Sequence, residues 1–195
     1  DAGFHVLCEK PAAGSLADLD EMARAADRRS RNLWVGFQHP LGTAMAKARE
    51  TIARGEIGEI RRISTKVSWP RPVQYYRRAD WAGRLSLDGK PVLDSPIQNA
   101  MAHFLHGSLH LAEAQGFRPS RVTAEHARVN EIETADTQVL AIRTRDASGR
   151  TGPVIHFAGT HAATAERDPT ITVAATRGTV VWRFPNTLEI SGNDG

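Results

Sequence analysis

The second half of the chain is a succession of short segments that read as strands. RVTAEHARV, TQVLAIRTR, VIHFAGTHA, TITVAATR, TVVWRF and TLEIS follow one another from Arg121 to Ser191. They are rich in Val, Ile, Thr and aromatic residues, with turn-forming residues between them. Asp146–Gly149 and Arg177–Gly178 have the composition of hairpin turns. Strands joined by such short links pair antiparallel, because a parallel pair needs a crossover of a dozen or more residues. An apolar sheet face needs a cover, and the helical segments come earlier in the chain. The expected class is therefore α+β, with a large, open, mostly antiparallel sheet and helices on one face.

The first half supplies those helices and something else. HVLCEKP, from His5 to Pro11, is an apolar run that ends in two charges and a proline. It reads as a buried strand of a parallel sheet. Ser15 is a helix cap with Asp18 at the third helical position, and Leu16, Leu19, Met22, Ala23 and Ala26 recur at helical spacing. LWVGF follows as a second apolar strand. Strand, helix and strand make a βαβ unit with parallel strands. Pro40 ends that pattern, and the domain boundary is placed near His39–Pro40. Residues 1–39 form the first unit and residues 40–195 the second. Ala44, Ala48, Ile52 and Ala53 predict a helix stopped by Gly55 and Gly58. EIRRISTKVSW alternates as a half-exposed strand. Pro70 to Asp94 reads as a long irregular segment, and Gln98 to Gln115 as a long helix.

Composition narrows the function classes. Of the 195 residues, 41% are hydrophobic and 24% charged, enough for a core and too apolar for disorder. The net charge is only +3, and acidic residues interleave with Arg24, Arg28, Arg29 and Arg31, which argues against a nucleic-acid footprint. No run is long and apolar enough to span a membrane. Cys8 is the single cysteine, so no internal disulfide forms, and a reducing cytoplasm is the expected setting. The chain opens on Asp1 almost inside a strand and closes on a turn-like tail, so both ends read as cut.

Three groups of residues can carry chemistry. Lys10 sits at the carboxyl end of a strand, where open α/β sheets bind ligands. There its ammonium can stabilise charge developing on an oxygen; two solvated charges beside a turn proline are the bland alternative. Asn99, His103, His106 and His110 fall at steps of four, three and four, on one helical stripe. The stripe can be plain packing. It can bind metal through HxxH, although no carboxylate or cysteine joins it. Or its N-terminal end reaches a substrate, with His103 moving a proton. Asp94 and Ser95 precede it as turn or helix-start residues. WPRPVQYYRRADWAG can be an ordered cover, or a substrate wall in which Trp69, Tyr75, Tyr76 and Trp81 stack on sugar rings while Arg71, Arg77 or Arg78 bind hydroxyls or carboxylates.

The ordered set EKP, WVGFQHP, GEIGEIRRI, WPRP…YYRRADWAG and VLDSPIQNAMAHFLHGSLHLA resembles the Gfo/Idh/MocA family of NAD(P)-dependent oxidoreductases, from about His5 to about Phe184. The resemblance implies a Rossmann remnant over 1–39 and a substrate-binding, oligomer-forming α+β domain over 40–195. It implies hydride transfer between NAD or NADP and a hydroxyl or carbonyl of a sugar, polyol or related small molecule. Lys10 and His103 would be catalytic. Asn99, Tyr75, Tyr76 and Asp94 would contact substrate, and Glu9, Lys10, Pro11 and Gln38 the cofactor. The Lys10–Pro11 bond would be cis, and the open sheet would form a homo-oligomer. No metal, nucleic acid or membrane enters this reading.

Two departures accompany the likeness. Many members carry Asp-x-x-x-His, and here Asn99 stands four before His103. An asparagine cannot raise the pKa of a histidine as a carboxylate does. The G-x-G-x-x-G turn that lets a backbone approach a pyrophosphate is absent from this sequence, so weak or no cofactor binding is expected of the chain alone. A non-catalytic binding or assembly protein that keeps the fold is the competing expectation.

Overall fold

A computed structural model describes residues 3–92 and 94–192. The chain begins with β1 (Val6–Cys8), α1 (Leu16–Arg28) and β2 (Leu33–Val35). β1 and β2 pair in parallel, with Val6 opposite Leu33 and Cys8 opposite Val35. Ser15 caps α1 by accepting from the Asp18 amide at 3.2 Å. The expectation of a buried first strand fails within this chain. Leu7 is 75% exposed and Leu16 80%, because two strands and one helix leave most of one another's apolar surface uncovered.

A single 3₁₀ turn (His39–Leu41) leads into α2 (Thr43–Ala53), and β3 (Ile60–Ser68) follows. α2 buries Ala44, Met45, Ala48, Thr51 and Ile52; Ala53, counted on its apolar face from the sequence, is exposed. The segment expected to be irregular holds a helical turn, α3 (Val73–Tyr76), and a small hairpin, β4 (Ser86–Leu87) with β5 (Lys90–Pro91). Next comes α4 (Ala102–Glu113), which starts four residues later than its apolar period suggests. Six strands complete the chain: β6 (Arg118–Ala127), β7 (Thr137–Arg145), β8 (Thr151–Thr160), β9 (Arg167–Ala175), β10 (Gly178–Arg183) and β11 (Thr187–Gly192).

The large sheet runs β11-β10-β9-β3-β8-β7-β6. All its pairs are antiparallel except β3 with β8, where Ile63 lies opposite Ile155. α2 and α4 cover one face. Met45 and Ile52 of α2, and Phe104 and Leu111 of α4, meet Ile63, Ile155, Phe157, Ile171, Val173, Val180 and Trp182 of the sheet. Burying each such side chain contributes about 1.5–3 kcal/mol. Gly107 lets α4 lie close, since a Cβ there would stand 3.0 Å from Ile171 Cδ1. The opposite face, with Val139, Val154 and Val181, stays exposed or half-buried. Among the described residues no helix is long and apolar enough to cross a membrane.

Candidate active site

The parallel strands β1 and β2 end on the same side, and the Gly36 amide donates to the Cys8 carbonyl at 2.8 Å. This brings Glu9–Pro11 beside Gly36–Gln38, at the carboxyl ends of parallel strands. Glu9 and Gln38 are exposed there. The Lys10–Pro11 peptide is cis.

From that edge the Lys10 side chain crosses to the turn before α4. Its Nζ donates to the Asn99 backbone oxygen at 2.8 Å and to Asn99 Oδ1 at 3.1 Å. In a regular helix the Asn99 carbonyl would serve the His103 amide. Here it faces the ammonium, and regular helix begins only at Ala102. Asn99 is therefore not on the α4 stripe but in the turn that introduces it, held by an Asn99 N to Ser95 O bond of 3.0 Å. Its Nδ2 donates to Asp94 Oδ1 at 2.8 Å. Asp94 Oδ2 accepts from the Gly83 amide at 2.8 Å and faces Arg78 Nη2 at 3.6 Å. Asp94 is thus a buried partner of Asn99 rather than a helix cap.

A cleft of about 600 Å³ opens beside this chain of contacts, lined among others by Lys10, Gly14, Trp81, Pro91, Asp94 and Asn99. Gly14 belongs there for a steric reason: a Cβ would stand 2.6 Å from the Pro91 carbonyl oxygen. Burial pulls the Lys10 pKa below its usual value, and the Glu9 and Asp94 charges oppose that pull. An ammonium has three N–H donors; two are spent on Asn99 and one remains for a ligand.

His103 stands one step behind the cleft wall and is not among its lining residues. Burial lowers its pKa to about 4, helped by the Lys10 charge and by His106. It is neutral at neutral pH, and its Nδ1 is buried without a partner. His106 stacks on Phe37 with ring centres 4.3 Å apart, which fastens the segment after β2 to α4. His106 and His110 lie further along the helix with ring centres 6.3 Å apart. Among the described residues no group of three or more His, Cys, Asp or Glu side chains is arranged to hold a metal.

The two tyrosines expected at the substrate do not line this cleft. Tyr76 donates to or accepts from His161 Nδ1 at 3.2 Å, and Tyr75 lies against it with ring centres 5.3 Å apart. Arg78 covers Tyr75 at 3.8 Å and Trp81 at 4.6 Å, while Arg71 covers Tyr75 at 4.8 Å. Two of the loop arginines are thus spent on aromatic faces. Only Trp81 of the expected aromatic wall reaches the Lys10 cleft.

Sequence reading missed His39. Its ring sits 4.7 Å from His103, 4.9 Å from Phe104 and 5.6 Å from both Trp182 and Phe184. Burial lowers its pKa to about 4. The available signal was a histidine beside Pro40 at the boundary between the two units.

Residues 45–181 match the GFO/IDH/MocA C-terminal domain, and residues 1–37 match the oxidoreductase family with an NAD-binding Rossmann fold. The myo-inositol 2-dehydrogenase of Thermotoga maritima is 28% identical over 134 residues, covering 67% of this chain and 37% of that protein. The 1,5-anhydro-D-fructose reductase of Ensifer adhaerens is 40% identical over 93 residues, covering 45% of this chain and 27% of that protein. Among solved structures, the WlbA dehydrogenase from Bordetella pertussis, in complex with NADH and UDP-GlcNAcA, superposes with a TM-score of 0.80 at 25% identity. That match covers 98% of this chain and 56% of that one. The chain thus spans roughly half, or less, of the length of these relatives.

Proposed function

The chain belongs to the Gfo/Idh/MocA family of oxidoreductases, and from that premise we propose that it forms the substrate-facing part of an NAD(P)-dependent dehydrogenase or reductase. The substrate class is a hydroxyl or carbonyl compound of the sugar or polyol kind. The myo-inositol 2-dehydrogenase and 1,5-anhydro-D-fructose reductase relatives support that class. Residues 1–39 close the dinucleotide-binding unit, and residues 40–195 bind substrate and associate through the open sheet face. The lone cysteine suits a cytoplasmic setting.

The observation that carries this reading is the Lys10 ammonium. It is anchored by two hydrogen bonds to Asn99 and retains one donor beside a cleft that fits a small molecule. The residues fit a nicotinamide nearby: Glu9, Lys10, Pro11 and Gln38 cluster at the carboxyl ends of β1 and β2, the ligand crevice of such sheets. A bound nicotinamide supplies or accepts the hydride. Lys10 stabilises the negative charge on the substrate oxygen as the carbon is oxidised or reduced, and its lowered pKa suits it to exchange the proton. A histidine of pKa about 4 is a weak base at neutral pH, so His103 acts as a neutral imidazole that backs the cleft wall behind Lys10 rather than as a proton carrier. Asn99 and Asp94 hold Lys10 in place. Tyr75 and Tyr76 support the loop that carries Trp81.

The test is a screen of the full-length protein with NAD or NADP against inositols, hexoses and their oxidised forms, read by nicotinamide absorbance. Lys10→Met lowers kcat/KM by about 100- to 1,000-fold, the cost of removing one donor to a developing oxyanion. A panel inert with both cofactors, or a Lys10→Met variant as fast as the parent, removes the reading. Sedimentation of the purified protein tests association, and a monomer at micromolar concentration rejects it.

A further inference from the structure

The family pattern places a carboxylate where this chain has Asn99, and the structure shows where a carboxylate stands instead. Asp94 lies on the far side of the Asn99 amide. Its Oδ1 accepts from Asn99 Nδ2 at 2.8 Å, while Lys10 Nζ lies 3.1 Å from Asn99 Oδ1. An ionised carboxylate only accepts hydrogen bonds and an ammonium only donates them. An amide between the two has one orientation that satisfies both: nitrogen toward Asp94, oxygen toward Lys10. The flipped amide would set acceptor against acceptor and donor against donor.

The far end is equally fixed. Asp94 Oδ2 accepts from the Gly83 amide at 2.8 Å and faces Arg78 at 3.6 Å. Arg78 is itself held over Tyr75 and Trp81, at 3.8 Å and 4.6 Å. The carboxylate is buried, with a relative exposure of 7%, and both its oxygens are engaged, one by the Asn99 amide and the other by the Gly83 amide and Arg78.

We propose that Asp94 is a positioning residue that acts through Asn99: it locks the amide orientation that aims the Lys10 ammonium into the cleft, with Arg78 holding Asp94 in turn. The inference rests on the proposed oxidoreductase reading for its catalytic consequence, but not for its physical one. The negative charge sits one amide away from the ammonium. Lys10 is therefore held in place without the direct ion pair that would make its proton harder to release.

The test separates the two layers. Lys10, Lys47, Lys66 and Lys90 are the lysines of the chain, and only Lys90 shares the cleft with Lys10, so competitive acylation across pH, read by mass spectrometry, reports Lys10 against Lys47 and Lys66 as internal controls and needs neither substrate nor cofactor. In Asp94→Asn the Lys10 midpoint moves to lower pH, because a favourable charge and a fixed acceptor are lost together. The midpoints of Lys47 and Lys66, away from the cleft, stay where they were. The double variant Asp94→Asn/Asn99→Asp exchanges amide and carboxylate and keeps the chain of donors and acceptors. Its Lys10 midpoint rises above that of the parent, because a carboxylate now touches the ammonium. In the full-length enzyme Asp94→Asn lowers kcat by about 10- to 100-fold with little change in KM, the cost of a misplaced group, and the double variant recovers at least tenfold. A Lys10 midpoint unmoved in both variants overturns the inference even if the enzyme is an active oxidoreductase. Opposite shifts in a protein with no oxidoreductase activity leave the lock standing and remove only the reading of function.

Discussion

The Lys10 ammonium meets the Asn99 side-chain oxygen at 3.1 Å across the seam between the first βαβ unit and the large sheet. It closes the same seam through the Asn99 backbone oxygen at 2.8 Å. Together with the Phe37–His106 stack, this side chain bridges two units that pair no strands with each other. Whatever loosens that seam acts on the cleft before it acts on the core.

Gly14→Ala is the mildest way to loosen it. The added Cβ would lie 2.6 Å from the Pro91 carbonyl, which is backbone and cannot turn aside as a side chain can. The loop after Pro11 must retreat from the β4–β5 hairpin. The expected outcome is about a tenfold or greater loss in kcat/KM, because small misplacements are costly in a reacting geometry. Far-UV circular dichroism should stay that of the parent. Parental kinetics would mean that the hairpin follows the loop.

Stability should fall on mild acidification. Burial holds His39, His103 and His161 at about 4, below the ordinary 6.5. In the unfolded chain these rings take up protons as pH drops below about 6.5, while in the folded chain they resist until about 4. The unfolded state binds more protons across that window, so stability is full above pH 6.5 and declines toward pH 4. Asp146 does not share the window. Hydrogen bonds from Ser148 and then Arg150 hold it near 2, and its contribution is lost only at lower pH. Urea midpoints measured at pH 7, 5.5 and 4.5 test this. His39→Phe, which keeps a ring among Phe104, Trp182 and Phe184, should flatten the slope. A midpoint that does not move between pH 7 and 4.5 contradicts the assignment.

Trp81→Ala separates binding from chemistry. Trp81 is the aromatic side chain of its loop that lines the cleft, and a face stacked on a sugar ring is lost with it. KM should rise about tenfold while kcat changes less. Tyr75→Phe, away from the cleft, should leave both within about a factor of two. Equal effects from the two variants would move the substrate wall toward the tyrosines.

Phe104→Ala probes the opposite end of α4's role. Phe104 is fully buried and packs against His39, Trp69, Phe184 and Trp182 with ring centres 4.9, 5.2, 5.8 and 6.1 Å away. Removing it should cost about 3–5 kcal/mol in urea unfolding. A loss under about 1 kcal/mol would show that the cluster collapses into the space.

The strands from Arg118 onward were legible because their side chains alternate and their turns are short; each needs only its sequence neighbours to declare itself. The same holds for α2 and for Ser15 as a cap. What could not be read depends on partners far along the chain. At the late start of α4 the Asn99 carbonyl is shared between the Ala102 amide and the distant Lys10 ammonium instead of serving His103. The exposure of β1 depends on what covers it rather than on its own apolar residues. Asp94 looked like a turn residue because nothing local shows that its partners are Gly83, Asn99 and Arg78. In the candidate site, EKP and the Asn99–His103 step stood out as patterns, whereas His39, Gly14 and Pro91 enter through packing alone.

β3, the earliest strand of the large sheet to be synthesised, occupies its centre, with β8 and β9 as its two neighbours. Ile63 must wait for Ile155 and Val173 before it has partners on either side. On the ribosome, then, the middle of the molecule emerges long before the strands that flank it. A nascent chain that stops short of β8 presents an apolar ribbon with neither flanking strand in place, sheltered on one face by Met45 and Ile52 of α2 and then by Phe104 and Leu111 of α4. Such late closure favours slow folding and chaperone capture, a burden written into the strand order rather than into any single residue.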